Sequence, residues 1–173
     1  MKKYTFILIA LAFLSSCKEE DVIPGGGGIA VVGVEGVWNF ESMEQQNGVI
    51  TLAGIEMATY TSKSSNEQGT FEYKADGTLT SAIGYVNTQI VTTAGFPNTT
   101  TQDIPVTTTE GTYEYDAAAK TLKMTTSTGL VQEGKVTELS ASKMVFEYAL
   151  NQETTNAGVT TVTTADVVIE FSK

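Results

Sequence analysis

From Trp38 to Phe171 the apolar residues recur at every second position, and no stretch spaces them as one face of a helix would require. The clearest row is Met144, Phe146, Tyr148 and Leu150. A period of two places such a row on one side of a strand and its neighbours on the other. Trp38 and Phe40 alternate with Asn39 and Glu41, Phe71 and Tyr73 with Glu72 and Lys74, and Tyr113 and Tyr115 with Thr112, Glu114 and Asp116. Leu79, Ile83 and Tyr85 form another row, Leu122 and Met124 a short one, and Val167, Ile169 and Phe171 the last. Only Asp116 to Lys120 has room for a single helical turn. The turn signals Asn47-Gly48, Asp76-Gly77, Thr128-Gly129 and Asn156-Ala157-Gly158 separate the rows. The expectation is an all-β, antiparallel meander of about eight to ten strands, each with one apolar face, curling until closure removes its exposed edges.

Threonine fills the positions between, as at 107–109, 125–128 and 160–164. It is β-branched, favours strands and tolerates water on its exposed side. A mucin-like stalk would be rich in proline, and the chain has three. These runs therefore read as the solvent faces of strands.

The first residues belong to a different regime. Lys2 and Lys3 precede an uncharged run, Tyr4 to Leu14. That is the length of a signal-peptide core, about 7–15 residues, and too short for a spanning helix of roughly 20. Residues 1–16 are expected to be a signal peptide. The sole cysteine, Cys17, follows Leu14-Ser15-Ser16. It has no second cysteine for a disulfide, no cluster of ligands for a metal, and no histidine to activate it as a nucleophile.

Leu14-Ser15-Ser16-Cys17 resembles a bacterial lipobox. The resemblance implies that Cys17 becomes the first mature residue, carrying a diacylglyceryl group on sulfur and a further acyl chain, of the palmitate kind, on its amino group. Two or three chains make a stable membrane anchor where one would not. Lys18-Glu19-Glu20-Asp21 is similar to the export signal of surface-exposed lipoproteins of Bacteroidetes, although there another residue usually separates the cysteine from the lysine. The other reading is a solvated polar tether. The expected location is the outer membrane, on the cell surface, or on its periplasmic face under the second reading. Gly25 to Gly28 cannot hold regular structure. The linker completes a tether, residues 17–35, that spans on the order of 25 Å as a flexible coil. Residues 36–173 remain as one domain.

Without Lys2 and Lys3, eight lysines face 20 acids, a formal charge of −12, and arginine is absent. That excludes nucleic acid as a partner, since affinity there comes from cations neutralising phosphates. It leaves the lipid anchor as the contact with the membrane.

Gly36-Val37-Trp38 opens the first strand after a polar leader, as the G-x-W of lipocalins does. The series FEYKADGTLT, GTYEYDAAAKTLKM and TELSASKMVFEY, with the closing VVIEF, looks like the lipocalin-like lipoproteins of Bacteroidetes, over roughly Gly33 to Phe171. The resemblance implies a lipocalin-like, calycin-type barrel with Gly36 and Trp38 as its motif residues. Lipocalins pack an arginine from a late strand over that tryptophan, and here no arginine exists.

A barrel of eight strands is either filled by its own side chains or holds one small ligand. The candidates for lining such a ligand are Trp38, Phe40, Tyr85, Phe96, Tyr113, Tyr115 and Tyr148, each of which also reads as ordinary core. Tyr113 and Tyr115 would form a polar lip if their strand end faces the mouth, because a buried phenol needs a partner. The Gly84–Val106 stretch, with a turn at Gly95-Phe96-Pro97-Asn98, reads as a long hairpin that either overhangs the mouth or packs on the wall. Catalytic machinery is not in view: histidine and arginine are missing, and Asp76 and Asp116 read as turn formers. No metal-ligand spacing or cofactor motif occurs, so no enzyme activity, metal or cofactor is expected. The expected role is non-catalytic binding of a small hydrophobic or extended ligand at the barrel mouth. The alternative is a filled barrel that docks on another envelope protein.

Overall fold

Tight turns return the chain on itself so often that each strand pairs with the next. The computed structural model describes residues 33–173, so the signal peptide, Cys17 and most of the tether lie outside the described residues. Eight strands follow in order: β1 (Gly36–Leu52), β2 (Ile55–Tyr73), β3 (Thr78–Thr93), β4 (Phe96–Asp116), β5 (Thr121–Thr126), β6 (Val131–Leu139), β7 (Lys143–Asn156) and β8 (Val159–Ser172). All neighbours are antiparallel, and β8 pairs with β1, so the meander closes into a ring. No helix occurs among the described residues.

At one end of the ring the inward rows meet. Trp38 stands opposite Phe71, Phe40 opposite Phe171, and Met144 opposite Phe171 on its other side. With Val34, Tyr73, Leu122, Val136, Phe146 and Val167 they form a plug whose members are almost wholly buried. Each such side chain contributes about 1.5–3 kcal/mol relative to leaving it in water. Edge-on ring contacts knit the plug: Phe71 to Phe171 at 5.0 Å between centroids and Tyr73 to Tyr113 at 5.0 Å. This is the closed end.

At the opposite end the ring is incomplete. β5 has 6 residues and β6 has 9, against 14–21 for the other strands. β4 pairs with β5 only over Gly111–Asp116, and β7 with β6 only over Met144–Tyr148. Beyond those points six strands continue as a curved sheet with a notch between β4 and β7.

Two turns differ from the sequence expectation. Asn47-Gly48 lies inside β1, where the register shifts against both neighbours. Asn47 takes the left-handed φ of 52° and donates from Nδ2 to Asp166 Oδ2 at 2.8 Å. The Tyr60 ring lies against Gly48, leaving no room for a side chain there. The dipeptide makes a bulge, because tertiary packing holds both strands through it. The β3–β4 turn is Ala94-Gly95, and Phe96 and Pro97 already belong to β4. Ala53-Gly54, Ala94-Gly95 and Ala157-Gly158 each carry two positive φ values, the mirror-image geometry that suits a two-residue hairpin. The aspartate turns are as read. Asp76 Oδ1 accepts from the Thr78 N–H and hydroxyl, which hold its carboxyl below the usual range, and Asp116 Oδ1 accepts from the Ala118 and Ala119 N–H groups.

Candidate functional site

The closed end is sealed around Trp38. Its Nε1–H donates to the Val34 carbonyl at 2.7 Å. The Lys173 ammonium sits 4.0 Å from the ring centroid and donates to the Glu35 carbonyl at 2.9 Å. A cation over the indole face is attractive through the ring quadrupole. Tyr113 donates to the Lys74 carbonyl at 2.7 Å, and its own N–H bonds to Gly77. The strand end carrying Tyr113 and Tyr115 therefore faces the closed end. The condition for a lip at this pair is not met: the β4–β5 turn sets them at the end opposite the notch. Tyr73 is fully buried with its hydroxyl 3.3 Å from the Met124 sulfur, and burial drives its pKa far above the phenol range.

Above the plug the interior opens into a cavity of about 280 Å³. Phe71, Leu79, Met124 and Ile169 come up from the plug, and Met43, Ile83, Tyr85, Ile104 and Tyr148 line the cavity with them. Ser81, Thr107, Thr109, Glu110, Thr126 and Gln132 add a polar side. Glu110, Thr126, Gln132 and Tyr148 stand where β5 and β6 stop, so the cavity reaches the notch. No lysine lines it. Gln132 Nε2 donates to the Tyr148 hydroxyl at 2.8 Å. Burial raises the Tyr148 pKa, the glutamine bond opposes this, and the nearby Tyr85 and Tyr60 phenols add to the rise. Tyr85 is raised by burial as well, and its ring meets Phe40 edge-on at 5.6 Å. These phenols stay neutral at neutral pH, as donors and acceptors.

Of the seven candidate lining residues, the structure brings Tyr85 and Tyr148 to the cavity. Trp38 and Phe40 belong to the plug, and Tyr113 and Tyr115 to the closed end. Phe96 stands at the β3–β4 tip, 79 % exposed, since the turn is centred on Ala94-Gly95, two residues earlier than the sequence suggests. The β3–β4 hairpin runs beyond the short strands, with Ile104 at the cavity and Ile90 exposed. Sequence reasoning missed Ser81, Thr107, Thr109 and Gln132. A polar residue facing inward interrupts an apolar row, and at Ser81, between Leu79 and Ile83, that interruption was visible.

Toward the open end the inward rows change character. Register carries the inner face from Tyr85 to Asn87 and Gln89 on β3, from Ile104 to Gln102 and Thr100 on β4, and through Ser64, Ser62 and Tyr60 on β2. Ser64 accepts from the Met43 N–H at 2.7 Å and donates to Glu67 at 2.5 Å, which steadies the β2 bulge. Asn87 Oδ1 is the one buried side-chain polar atom without a partner among the described residues. Larger hollows, about 600 and 550 Å³, follow the bulges of β2 against β3–β4 and β1, and both are more open to solvent than the interior cavity. Among the described residues no three acids, histidines or cysteines gather as metal ligands. Compared with protein-family models, with curated proteins and with solved structures, the chain matches none.

Proposed function

We propose that this chain is a lipid-anchored envelope protein whose lipocalin-like domain binds, without catalysis, a small and largely apolar ligand in the interior cavity. The observation that carries the reading is the cavity itself: an apolar floor, hydroxyl and amide groups toward its mouth, and an opening at the notch. Lys173 over Trp38 supports the lipocalin-like reading, because it supplies the cation that lipocalins obtain from arginine. The lining favours a ligand with a neutral or cationic head. A carboxylate would find no lysine in the lining to balance it. Secretion through residues 1–16, lipidation at Cys17 and display at the outer membrane are part of the same proposal, resting on the sequence of the leader.

The test uses N-phenyl-1-naphthylamine, a neutral apolar dye whose fluorescence rises in dry surroundings. Dye uptake by the protein, abolished by Thr109→Trp with the fold retained by circular dichroism, is the expected result. Uptake that is absent, or equal in the variant, would refute the cavity as the binding place. Native mass spectrometry of protein purified from its own host would then weigh the ligand.

A further inference from the structure

Hydrogen-bonding parity shows what the notch leaves unpaired. The two-residue turn Ala94-Gly95 makes Thr93 and Phe96 a mutually bonded pair. Pairing then alternates along an unbroken ladder from Phe96 to Ile104. Asn98, Thr100 and Gln102 bond to β3, whereas residues 97, 99, 101 and 103 turn N–H and C=O toward the notch. Pro97 agrees independently, since a residue without N–H cannot occupy a doubly bonded position. Past Gly111 no strand covers this edge. The outward N–H groups of Thr99, Thr101 and Asp103 are thus free of a neighbouring strand, bracketed by Pro97 and Pro105. The same reasoning from the Ala157-Gly158 turn aims Ala149, Asn151, Glu153 and Thr155 of β7 into the notch from the other side.

An exposed edge is a template for another strand, and natural edges are commonly blunted with lysine or proline. Neither edge here carries a lysine, and the prolines at 97 and 105 bound the open segment of β4 without interrupting it. Residues 96–110 hold Asp103 and Glu110, and residues 149–156 hold Glu153. Leu130 and Val131, 58 % and 50 % exposed, lie where β5 turns into β6 at the floor of the notch. The unpaired groups call for main-chain pairing, the acids for positive charge, and the floor for an occasional apolar side chain.

We propose that the β4 edge between Pro97 and Pro105 takes an extended, lysine- or arginine-bearing segment of a partner polypeptide as an added strand. The main chain supplies the affinity and the acids select the partner. The site borders the opening of the interior cavity at the notch, and it stands whether or not that cavity holds a ligand.

The probe is a fluorescein-labelled peptide of about nine residues alternating lysine and valine, added to the full chain and followed by anisotropy. Its control is the same peptide with the amides of one edge N-methylated, which keeps the charge and removes strand pairing. Thr101→Pro deletes an outward N–H and leaves the bonds to β3 intact. Asp103→Lys installs the missing block and removes an acid. The expected result is binding weakened about tenfold by N-methylation and by Thr101→Pro, the scale of losing one or more main-chain hydrogen bonds. Asp103→Lys should weaken it several-fold, and the Thr99, Thr101 and Asp103 amides should gain hydrogen-exchange protection from the unmodified peptide. Equal binding by the N-methylated peptide, or no loss in either variant, would overturn the proposal, since charge alone would then explain it. Protection of those amides that grows with protein concentration in the absence of peptide would also overturn it, and would assign the edge to a second copy of this chain.

Discussion

The two ends of the ring share six strands but present different inner faces. Going from the closed end toward the notch, β1 changes from Trp38 and Phe40 to Gln45 and Gly48, β2 from Tyr73 and Phe71 to Ser64 and Ser62, and β8 from Phe171 and Ile169 to Thr163 and Thr161. β7 changes likewise, from Met144 and Phe146 to Gln152 and Thr154. The ladders among these six strands run through both halves, so hydrogen bonding separates them only at the β4 and β7 edges, which lose their partners at the notch. What separates them is buried apolar area, concentrated at the closed end. The difference teaches that stability is unevenly divided along each strand: one half holds the ring, and the other is left open to solvent.

The comparison breaks most easily at Trp38. Its ring is wholly buried, and truncation to alanine removes the indole, the bond to Val34 and the surface beneath Lys173. Trp38→Ala should cost about 3–5 kcal/mol in urea unfolding, the range for large aromatic truncations in cores. Gln89→Ala or Thr163→Ala, on the same inner face beyond the cavity, should stay within about 0.5 kcal/mol. If the two kinds of substitution cost the same, stability is not concentrated at the closed end.

A second effect comes from Tyr73. Its pKa is raised in the fold, first by burial and then by the neighbouring Tyr113. A group with a raised folded-state pKa contributes stability that is complete below its unfolded value, about 10 for a phenol, and lost as pH climbs toward the folded value. Tyr60, Tyr85, Tyr113, Tyr115 and Tyr148 shift the same way. Glu44 is held low, first by the Lys63 hydrogen bond, and Asp76 is held low by Thr78. Their contribution is present above the unfolded carboxylate values and lost as pH falls through the lowered ones. With no histidine in the chain, unfolding midpoints should be flat from about pH 6 to 9 and fall above 10. Tyr73→Phe should move that alkaline edge upward. An edge that does not move would place the alkaline weakness outside the plug.

Lys173 gives a smaller test at the same end. Lys173→Ala should lower stability by about 0.5–1 kcal/mol, the scale of an exposed cation–π contact. Lys173→Arg should restore it, since guanidinium stacks on an indole at least as well. Failure of the arginine to rescue would mean that the bond to the Glu35 carbonyl, rather than the indole face, holds the C-terminal residue.

How much of this was legible follows from what each residue constrains. An alternating apolar row fixes a strand and its inward face, so the plug residues Trp38, Phe71, Tyr73, Phe146 and Phe171 were readable directly. The notch was not. It depends on where β5 and β6 stop against their partners, and the threonine runs at 107–109 and 125–128 look alike whether paired or free. Asn47-Gly48 carries the strongest hairpin chemistry in the chain yet forms a bulge, because the paired strands on either side override the local preference. Three turns, all in the open half, use alanine at the left-handed position, a residue that local propensity does not flag. Of the candidate site, Tyr85 and Tyr148 were visible as inward aromatics, while the polar side of the cavity depends on small residues that sequence alone cannot tell from solvent faces.

Those alanines supply the smallest and most discriminating test. Ala53, Ala94 and Ala157 sit at φ values of 49°, 51° and 50° in the turns of the open half. Asparagine tolerates that region better, so each Ala→Asn change should stabilise its hairpin by a few tenths to about 1 kcal/mol. The tips of the β1–β2 and β7–β8 hairpins also touch, through the Ala53 N–H on the Thr160 carbonyl at 2.9 Å. If the open half loosens before the plug, a triple variant slows hydrogen exchange near the tips and leaves the global urea midpoint almost where it was. If the midpoint moves by the sum of the three gains, the halves unfold as one unit. The division along each strand would then be one of surface chemistry alone.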